Sequence, residues 1–509
     1  MRDELERRAS LHGSKTALVM ADGSGSYSFR ELDERANAIC GIIRSAGLHE
    51  GEAIGLLMEN DIQTVAWWWG ARRAGLYFVP IANRLLAHEI VYIVNDSRMQ
   101  LLVASPAYMD LAAKVTREIN IAVCASHTVP DPSTGSLQHE AASLVGREII
   151  YSSGTTGRPK GVRRALVKVG EAALPELEVR MRQIYGYDED TVYLSASPLY
   201  HATGRFLTRV LEAGGSVVIL PRFDPLDALR AIEQHKVTHS QWVPTMFRRL
   251  LDLPEAVRGR FDFSSLKVAL HAAAPCPTAV KQAMIGWWGP IVHEYYGGTE
   301  NAGVTYIEAR EWLERPGSVG RSISGAIHIL DQENPDRELP PGELGLITFE
   351  GGVPFQYTLP GGKLADNASP QGYTGYGDIG YVDEDGFLYI SDRRDDLIIT
   401  GGVNVYPKEV ESALESCTAI SEVAVIGLPH ADLGQRVCAI VVPAANVDGD
   451  VRTIVADYAR TVLSPIKIPR EVFIAQDLPR NETGKLLKRV LRDHYAKQLG
   501  GPVGGTRFD

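Results

Sequence analysis

The run Ile149–Val162 (IIYSSGTTGRPKGV) brings hydroxyl side chains, glycines and a lysine into one short stretch. The residues that could contact an anion are Ser152, Ser153, Gly154, Thr155, Thr156, Gly157 and Lys160. Hydroxyls and unhindered glycine N–H groups can form an anion-binding nest, and a lysine adds a mobile positive charge. The stretch therefore predicts a polyphosphate-binding loop, although its composition would also fit a flexible surface loop.

This loop differs from the Walker A loop of ordinary kinases and ATPases. Pro159 stands five residues beyond Gly154, where that motif has glycine, and Gly161 follows Lys160 in place of Ser or Thr. A P-loop kinase or ATPase is therefore disfavoured.

The elements that must position such a loop alternate between helix-like and strand-like patterns. Phe29–Ala46 has apolar residues at helical spacing, with Gly47 as a stop. Ala53–Met58 and Leu101–Ser105 are short apolar runs typical of buried strands. This alternation predicts an α/β fold with mostly parallel strands.

The pattern changes after about Pro316, where the sequence becomes rich in strand-like runs and turns. The DEDG turn signal within it predicts a hairpin. The charged cluster Asp392–Asp396 (DRRDD) lies between two apolar runs, which fits either an interdomain hinge or a charged surface hairpin. A small α/β segment and a Gly-rich tail complete the chain.

Composition limits the class of protein further. The 509 residues suggest two or three domains, and a formal net charge of −11 argues against a nucleic-acid partner. Five scattered cysteines favour a reducing compartment over a disulfide framework. The charged N-terminus lacks the pattern of a secretory signal, and no apolar run reaches the ~18 residues of a spanning helix. We predict a soluble cytoplasmic protein, with peripheral membrane contact left open.

Three further motifs follow the loop motif SSGTTGRPKG along the chain: Tyr295–Glu300 (YYGGTE), Gly377–Glu411 and Pro479–Arg489 (PRNETGKLLKR). In this order, the four motifs together resemble those of the adenylate-forming superfamily of acyl-CoA synthetases, peptide-synthetase adenylation domains and luciferase-type enzymes. The resemblance runs over nearly the whole chain and is highly specific because four motifs recur in order.

The resemblance implies a site for ATP and Mg²⁺. Thr155 and Thr156 would hold the phosphates with help from Lys160, and Glu300 would bind magnesium. Asp378 and Arg393 would bind the ribose hydroxyls. The other implied nucleotide-binding residues are Ala273, Ala274, Pro275, Glu294, Tyr295, Tyr296, Gly297 and Thr299. Taken singly, these acids and lysines would more often be ordinary turn or surface residues, and their joint order favours function.

One position departs from the family pattern. The family usually has Thr-Gly-Asp before the ribose aspartate, whereas this chain has Tyr376, Gly377 and Asp378. The aspartate is kept, but the hydroxyl that often assists near the phosphate is now carried by a tyrosine.

The resemblance also implies a two-domain mechanism. A large N-terminal multi-layer α/β domain (1–394) would hold the ATP and acyl sites, and a small mobile C-terminal α+β domain (395–509) would rotate about Asp395. Lys485 would bridge the reacting carboxylate and the α-phosphate. Gly401 and Gly402 would border the tunnel for the pantetheine of coenzyme A, since a missing Cβ allows close approach.

The acyl pocket of the family is lined partly by segments that match Ser197–Phe206 and Thr238–Phe247. The candidate substrate-binding residues are His201, Trp242, Met246 and Phe247. His201 is also a catalytic candidate near the thioester site, although a packed, half-buried histidine is an equal alternative. No Asp or Lys in these segments suits a zwitterionic amino acid, which favours a hydrophobic acid of fatty, aromatic or steroid-like type.

The predicted function is therefore ATP-dependent activation of a carboxylic acid to acyl-AMP, followed by transfer to coenzyme A. Two alternatives stay open: a stand-alone ligase that loads a carrier-protein phosphopantetheine, and a non-catalytic nucleotide-binding relative. The presence of Lys160, Glu300 and Lys485 counts against the second. A homodimer is also left open.

Overall fold

The computed structural model describes most of the chain. The described residues are 3–128, 142–152, 160–170, 176–201, 204–298, 302–352, 356–358, 364–366, 369, 371–393, 396–400, 403–430, 433–445, 447–480 and 486–499. In these ranges no helix is long and apolar enough to cross a bilayer.

The helices follow the helical spacing of apolar residues. They are α1 (Glu4–His12), α2 (Phe29–Ser45), α3 (Ile62–Arg73), α4 (Ala87–Ser97), α5 (Met109–Glu118), α6 (Glu176–Tyr185), α7 (Gly204–Ala213), α8 (Pro225–Gln234), α9 (Pro244–Leu251), α10 (Glu255–Arg258), α11 (Thr278–Trp288), α12 (Ala309–Glu314), α13 (Pro407–Leu414), α14 (Val451–Val462) and α15 (Lys488–Leu499). The predicted helix at Phe29 is α2. A capping box between Ser28 and Glu31 closes its first turn, and Gly47 follows in the left-handed region at φ +79°.

The strands include the apolar runs predicted from the sequence, among them β3 and β5. They are β1 (Thr16–Met20), β2 (Ser26–Ser28), β3 (Ala53–Leu57), β4 (Tyr77–Pro80), β5 (Met99–Ala104), β6 (Ala122–Ala125), β7 (Leu144–Val145), β8 (Arg147–Glu148), β9 (Ile150–Ser152), β10 (Lys160–Val162), β11 (Val167–Lys168), β12 (Val192–Ser195), β13 (Ser216–Ile219), β14 (His239–Trp242), β15 (Val268–His271), β16 (Val292–Gly297), β17 (Val304–Ile307), β18 (Ser318–Ser322), β19 (Ile327–Leu330), β20 (Gly345–Phe349), β21 (Gln356–Thr358), β22 (Leu364–Asp366), β23 (Asp378–Val382), β24 (Leu388–Arg393), β25 (Ile398–Thr400), β26 (Val403–Val405), β27 (Ile420–His430), β28 (Gly434–Pro443) and β29 (Glu471–Ile474).

The chain forms two compact units. The first comprises Met1–His271, Ala283–His293 and Tyr357–Ala365, and the second comprises Ala272–Gln282, Glu294–Gln356 and Asp366–Asp509. The predicted pivot Asp395 lies outside the described residues, so the boundary at 394/395 stays a prediction.

The first unit contains two mostly parallel sheets. One has the order β6-β5-β3-β4-β8, with every pair parallel. The other contains β15-β14-β12-β13-β1, also parallel, with β2 antiparallel to β1. Every residue of β3 and β4 is buried, as expected for parallel strands covered on both faces. The predicted α/β layers with parallel strands are confirmed here.

The second unit contains an antiparallel sheet that carries candidate site residues. Its order is β19-β20-β23-β24-β18-β17-β16. The predicted DEDG hairpin joins β23 to β24, and the Gly386 N–H donates to the Asp383 carbonyl at 3.0 Å. The pairing of these strands sets Asp378 opposite Arg393.

The C-terminal part of the second unit is a mixed sheet with helices on both faces. Its order is β26-β25-β28-β27, and β29 pairs with β28 in parallel. Side chains alternate along β27, so Val423 and Val425 face the α13 and α14 side, whereas Ala424 and Ile426 face α15. The α+β character predicted for this region is observed.

Candidate active site

The predicted phosphate loop connects the two strands of a short hairpin in the first unit. β9 and β10 pair antiparallel, with Ser152 and Lys160 as register partners at the two ends of the loop. The stem is anchored by Tyr151, whose hydroxyl donates to the Asp96 carboxylate at 2.6 Å. Burial, together with this carboxylate, raises the pKa of Tyr151, so the phenol stays a proton donor at neutral pH. The hairpin thus sets both ends of a hydroxyl-rich loop side by side.

The candidate ribose residue Asp378 lies at the first position of β23 in the second unit. Gly377, at φ +76°, turns the chain into the strand. Asp378 is 4% exposed, and one of its carboxylate oxygens accepts the Tyr296 hydroxyl at 2.6 Å. Two residues that the sequence placed in one nucleotide site are therefore in direct contact. A carboxylate oriented in this way can accept hydrogen bonds from a vicinal diol.

The hydroxyl of Tyr376, the residue that departs from the family pattern, forms hydrogen bonds with the backbone of Gly303. The hydroxyl donates to the Gly303 carbonyl at 2.7 Å and accepts the Gly303 N–H at 3.1 Å. Its ring meets that of Tyr296 edge to face, with centroids 5.5 Å apart. A Cβ at Gly303 would lie 2.0 Å from Phe349 Cγ, so only glycine fits this close approach.

The segment predicted to line the adenine site contains an unusual backbone conformation. Ala273 has φ +76°, a left-handed value that residues with a Cβ rarely adopt and that costs on the order of 1–3 kcal/mol. Ala274, which is partly exposed, and Pro275, which is exposed, follow it. Strain of this kind persists where the surrounding structure enforces it, often at ligand sites, so this segment stays a candidate for nucleotide contact.

Glu294 makes a buried ion pair inside the second unit. Its carboxylate lies 2.6 Å from Lys281 Nζ, and the lysine side chain is 0% exposed. The same ammonium lies 4.5 Å from the centroid of the Trp312 ring. Burial raises the pKa of Glu294 and lowers that of Lys281, and each charge partly offsets the shift of the other. The carboxylate of Glu294 is therefore engaged by Lys281, which argues against its direct contact with adenine. The predicted role of Glu294 in the adenine site stays a prediction.

His201 lines a cavity of about 30 Å³ in the first unit. The other lining residues are Trp68, Phe78, Pro80, Glu148, Ile150, Leu199, Gly204 and Thr208. The Trp68 and Phe78 rings are stacked with centroids 6.0 Å apart, so one side of the cavity is aromatic. Burial lowers the pKa of His201 to about 4, which keeps the imidazole neutral near pH 7.

The other predicted acyl-site residues lie in the core of the first unit. Trp242 and Phe247 are each 0% exposed, with ring centroids 6.1 Å apart, and Met246 is also buried. Trp242 Nε1 donates to Ser240 Oγ at 2.7 Å. Their contact with an acyl group stays a prediction, since they are not among the residues that line the His201 cavity.

Several predicted site residues lie outside the described residues. They are Ser153, Gly154, Thr155, Thr156, Gly157, Thr299, Glu300, Asp395, Gly401, Gly402 and Lys485. For Ser152, Lys160 and Arg393 the backbone alone is described. Within the described ranges no group of three or more His, Cys, Asp or Glu side chains could hold a metal ion.

Sequence reasoning missed three side chains that shape these sites. Trp68 lies in a WWW run that resembles any buried helix, and Phe78 lies in an ordinary apolar strand. Lys281 resembles a surface lysine within α11, and its burial against Glu294 follows from the fold. The apolar flanks of Trp68 and Phe78 signalled burial, but nothing in the sequence indicated a cavity.

The mixed α/β fold and the contact between the candidate nucleotide-site residues Tyr296 and Asp378 point to the adenylating class of enzymes. The family model described as AMP-binding enzyme matches residues 5–356, and that of the AMP-binding enzyme C-terminal domain matches residues 409–485. The chain therefore belongs to the AMP-binding enzyme family.

Relatives agree over nearly the full length. The long-chain-fatty-acid–CoA ligase FadD13 of Mycobacterium tuberculosis (strain ATCC 25618 / H37Rv) is 29% identical, covering 97% of this chain and 98% of its own. Feruloyl-CoA synthase of Amycolatopsis sp is 30% identical, covering 96% and 98%. The o-succinylbenzoate CoA synthetase MenE of Bacillus subtilis, solved with the acyl-adenylate intermediate OSB-AMP, matches with a TM-score of 0.81 at 27% identity, covering 99% of each chain.

These comparisons confirm three predictions. The adenylate-forming family is confirmed, as is the α/β fold with a large N-terminal and a smaller C-terminal domain. The enzyme class, an AMP-forming acid–thiol ligase, is also confirmed.

Proposed function

We propose that this protein uses ATP to activate a hydrophobic carboxylic acid as acyl-AMP and then transfers the acyl group to coenzyme A. The observation that carries the proposal is the contact of Tyr296 with Asp378, a buried carboxylate from one predicted motif held by a phenol from another. The relatives are CoA ligases, which favours coenzyme A over a carrier protein as the acceptor.

The first half-reaction overcomes the poor leaving group of a carboxylate. A carboxylate oxygen attacks the α-phosphorus of ATP, the α–β bridging P–O bond breaks, and pyrophosphate leaves. Both reactants are anionic, so Lys160 and Lys485 would offset their repulsion; positioned charges of this kind are worth about 3–4 kcal/mol each. Glu300 is the proposed Mg²⁺ ligand, and magnesium supplies further neutralisation of the phosphates when bound.

The second half-reaction exchanges the adenylate for a thioester. The thiol sulfur of coenzyme A attacks the acyl carbon, the carbon–oxygen bond to AMP breaks, and AMP leaves. We place the pivot between the two steps at Asp395, with the 1–394 and 395–509 domains on either side. Rotation would remove Lys485 from the reacting atoms and bring Gly401 and Gly402 to the thiol path.

The acyl substrate is proposed to be hydrophobic. The cavity at His201 is lined on one side by the rings of Trp68 and Phe78, and Glu148 also lines it. Its volume of about 30 Å³ is far smaller than an acyl group, so the aromatic lining supports only an apolar surface beside His201. A neutral His201 adds no cation that would favour a second carboxylate on the substrate. The long-chain-fatty-acid and feruloyl substrates named for the relatives span aliphatic and aromatic acids.

Measurement of the two half-reactions tests the mechanism. Lys485→Ala should abolish ATP–pyrophosphate exchange, yet still convert synthetic acyl-AMP and coenzyme A to thioester. Asp395→Pro should do the reverse, because proline fixes φ near −65° and stiffens the pivot. Lys467→Ala is the matched control, since its ammonium pairs with Glu409 on α13 and has no proposed role. Equal loss of both half-reactions in both folded variants would contradict the rotating-domain mechanism.

A substrate panel tests the activity itself. Fatty, aromatic and steroid-like acids are incubated with ATP, Mg²⁺ and either free coenzyme A or a holo-carrier protein, and the products are identified by mass. We expect acyl-CoA from at least one hydrophobic acid. Acyl transfer to the carrier protein alone would replace coenzyme A as the proposed acceptor.

The free cysteines support the proposed cytoplasmic location.

A further inference from the structure

The segment between Thr374 and Asp378 holds the two residues that precede β17 through two hydroxyl groups. Thr374 Oγ1 donates to the Ala302 carbonyl at 3.1 Å, and the Tyr376 hydroxyl donates to the Gly303 carbonyl at 2.7 Å. The same phenol accepts the Gly303 N–H at 3.1 Å. Consecutive backbone groups are therefore fixed by side chains two residues apart.

The Tyr376 ring connects this backbone anchor to the candidate ribose site. It lies edge to face against Tyr296, whose hydroxyl donates to Asp378 at 2.6 Å. Phe349 contacts both rings, with centroids 6.3 Å from each. The Tyr376 hydroxyl is thus fixed by Gly303, and its ring packs against Tyr296 and Phe349. This packing can orient the Tyr296 hydroxyl toward the Asp378 carboxylate.

We propose that Tyr376 is a positioning residue for the nucleotide: its hydroxyl anchors the ring on Gly303, and the ring orients the Tyr296–Asp378 pair that receives the ribose. This inference rests on the proposed function, because it takes Asp378 as the ribose-binding carboxylate. It also assigns a role to the tyrosine that replaces the family's threonine, and that role is exerted through backbone and ring contacts.

Two variants separate positioning from direct contact with phosphate. Tyr376→Phe removes the hydroxyl and keeps the ring volume, so the fold should be retained. Tyr376→Thr restores the family residue but removes the ring. Tyr77→Phe is the matched control, because its hydroxyl also donates to a backbone carbonyl, that of Arg164 at 2.7 Å, and has no proposed role in nucleotide binding.

The readouts are the Kd values for AMP and 2′-deoxyAMP and the kinetics of ATP–pyrophosphate exchange. For Tyr376→Phe we expect about five- to tenfold weaker AMP binding, the effect of one hydrogen bond. We also expect a smaller preference for AMP over 2′-deoxyAMP and a raised KM for ATP, with kcat within about twofold. Tyr376→Thr should lose at least as much, and Tyr77→Phe should change neither Kd.

Wild-type AMP affinity and 2′-hydroxyl preference in folded Tyr376→Phe would overturn the inference. Wild-type activity of Tyr376→Thr would also overturn it, because a hydroxyl acting directly on phosphate would then suffice. Asp378→Ala separates this failure from failure of the proposed function. If that variant keeps the 2′-hydroxyl preference, the ribose assignment itself is wrong; if it loses the preference while Tyr376→Phe keeps it, only the role of Tyr376 is wrong.

Discussion

The buried pair of Glu294 and Lys281 offers a direct test of whether Glu294 serves adenine or stability. The sequence resemblance assigns Glu294 to the adenine site, whereas its carboxylate lies 2.6 Å from the fully buried Lys281 ammonium. The perturbation is Glu294→Gln, which keeps the shape and removes the charge. We expect a loss of stability with little change in nucleotide affinity.

The magnitude follows from the burial of both partners. Removing one member of a buried ion pair costs about 3–5 kcal/mol, because it leaves the other charge without compensation. The Trp312 ring and the glutamine oxygen still contact Lys281, so we expect the lower end, about 3 kcal/mol. If the second unit, of about 220 residues, unfolds separately, its melting entropy predicts a Tm lower by about 7 °C.

The assay is thermal unfolding by calorimetry, together with AMP binding measured well below the Tm. A double variant, Lys281→Met with Glu294→Gln, serves as the matched control because it removes both charges. It should recover most of the lost Tm, since buried pairs are often replaceable by neutral groups of similar volume. Glu409→Gln, a carboxylate whose partner Lys467 is partly exposed, should shift the Tm by much less.

Two results would refute the reasoning. An unchanged Tm for Glu294→Gln would mean that the pair contributes no net stability. A weaker AMP affinity at unchanged Tm would restore Glu294 to the adenine site and make its contact with Lys281 incidental.

The remaining predictions concern pH, cavity packing and the C-terminal core. Burial lowers the pKa of His239 to about 4, so the unfolded chain binds more protons than the folded chain below about pH 6.5. The free energy of unfolding should therefore fall by about 2 kcal/mol between pH 7 and pH 5. His239→Asn should reduce the accompanying fall in Tm. Gly204→Val should lower the Tm through overpacking of about 1–3 kcal/mol, because a Cβ there would lie 2.5 Å from the Trp68 ring, and an unchanged Tm would contradict this contact. Lys488→Met should lower the free energy of unfolding by about 3–5 kcal/mol, measured by calorimetry, because it leaves the buried Glu411 carboxylate, 2.8 Å from Lys488 Nζ, without its cation. Lys488→Arg keeps the charge and should retain most of that stability.

Local sequence determined the elements and the chemical class. The cap at Ser28 and the turn at Gly47 bound α2, and the DEDG turn joins β23 to β24, because these signals act over a few residues. The four ordered motifs identified the adenylating family, since each motif carries its own hydroxyls, lysine or carboxylate. Alternation along β16 likewise places Glu294 and Tyr296 on one face of the strand.

Tertiary structure decided which partner each of these side chains meets. Glu294 and Tyr296 share a face of β16, yet they meet different partners. The Glu294 carboxylate pairs with Lys281, whereas the Tyr296 hydroxyl donates to Asp378, 82 positions further along the chain. Tyr376 contacts Gly303 across 73 positions. No pattern of period 2 or 3.6 encodes such pairs, because they depend on strand order and on which side chains fill the same space. The sequence thus supplied the candidate site residues, and the fold supplied their neighbours and the direction in which burial shifts the pKa of Glu294, Lys281 and His201.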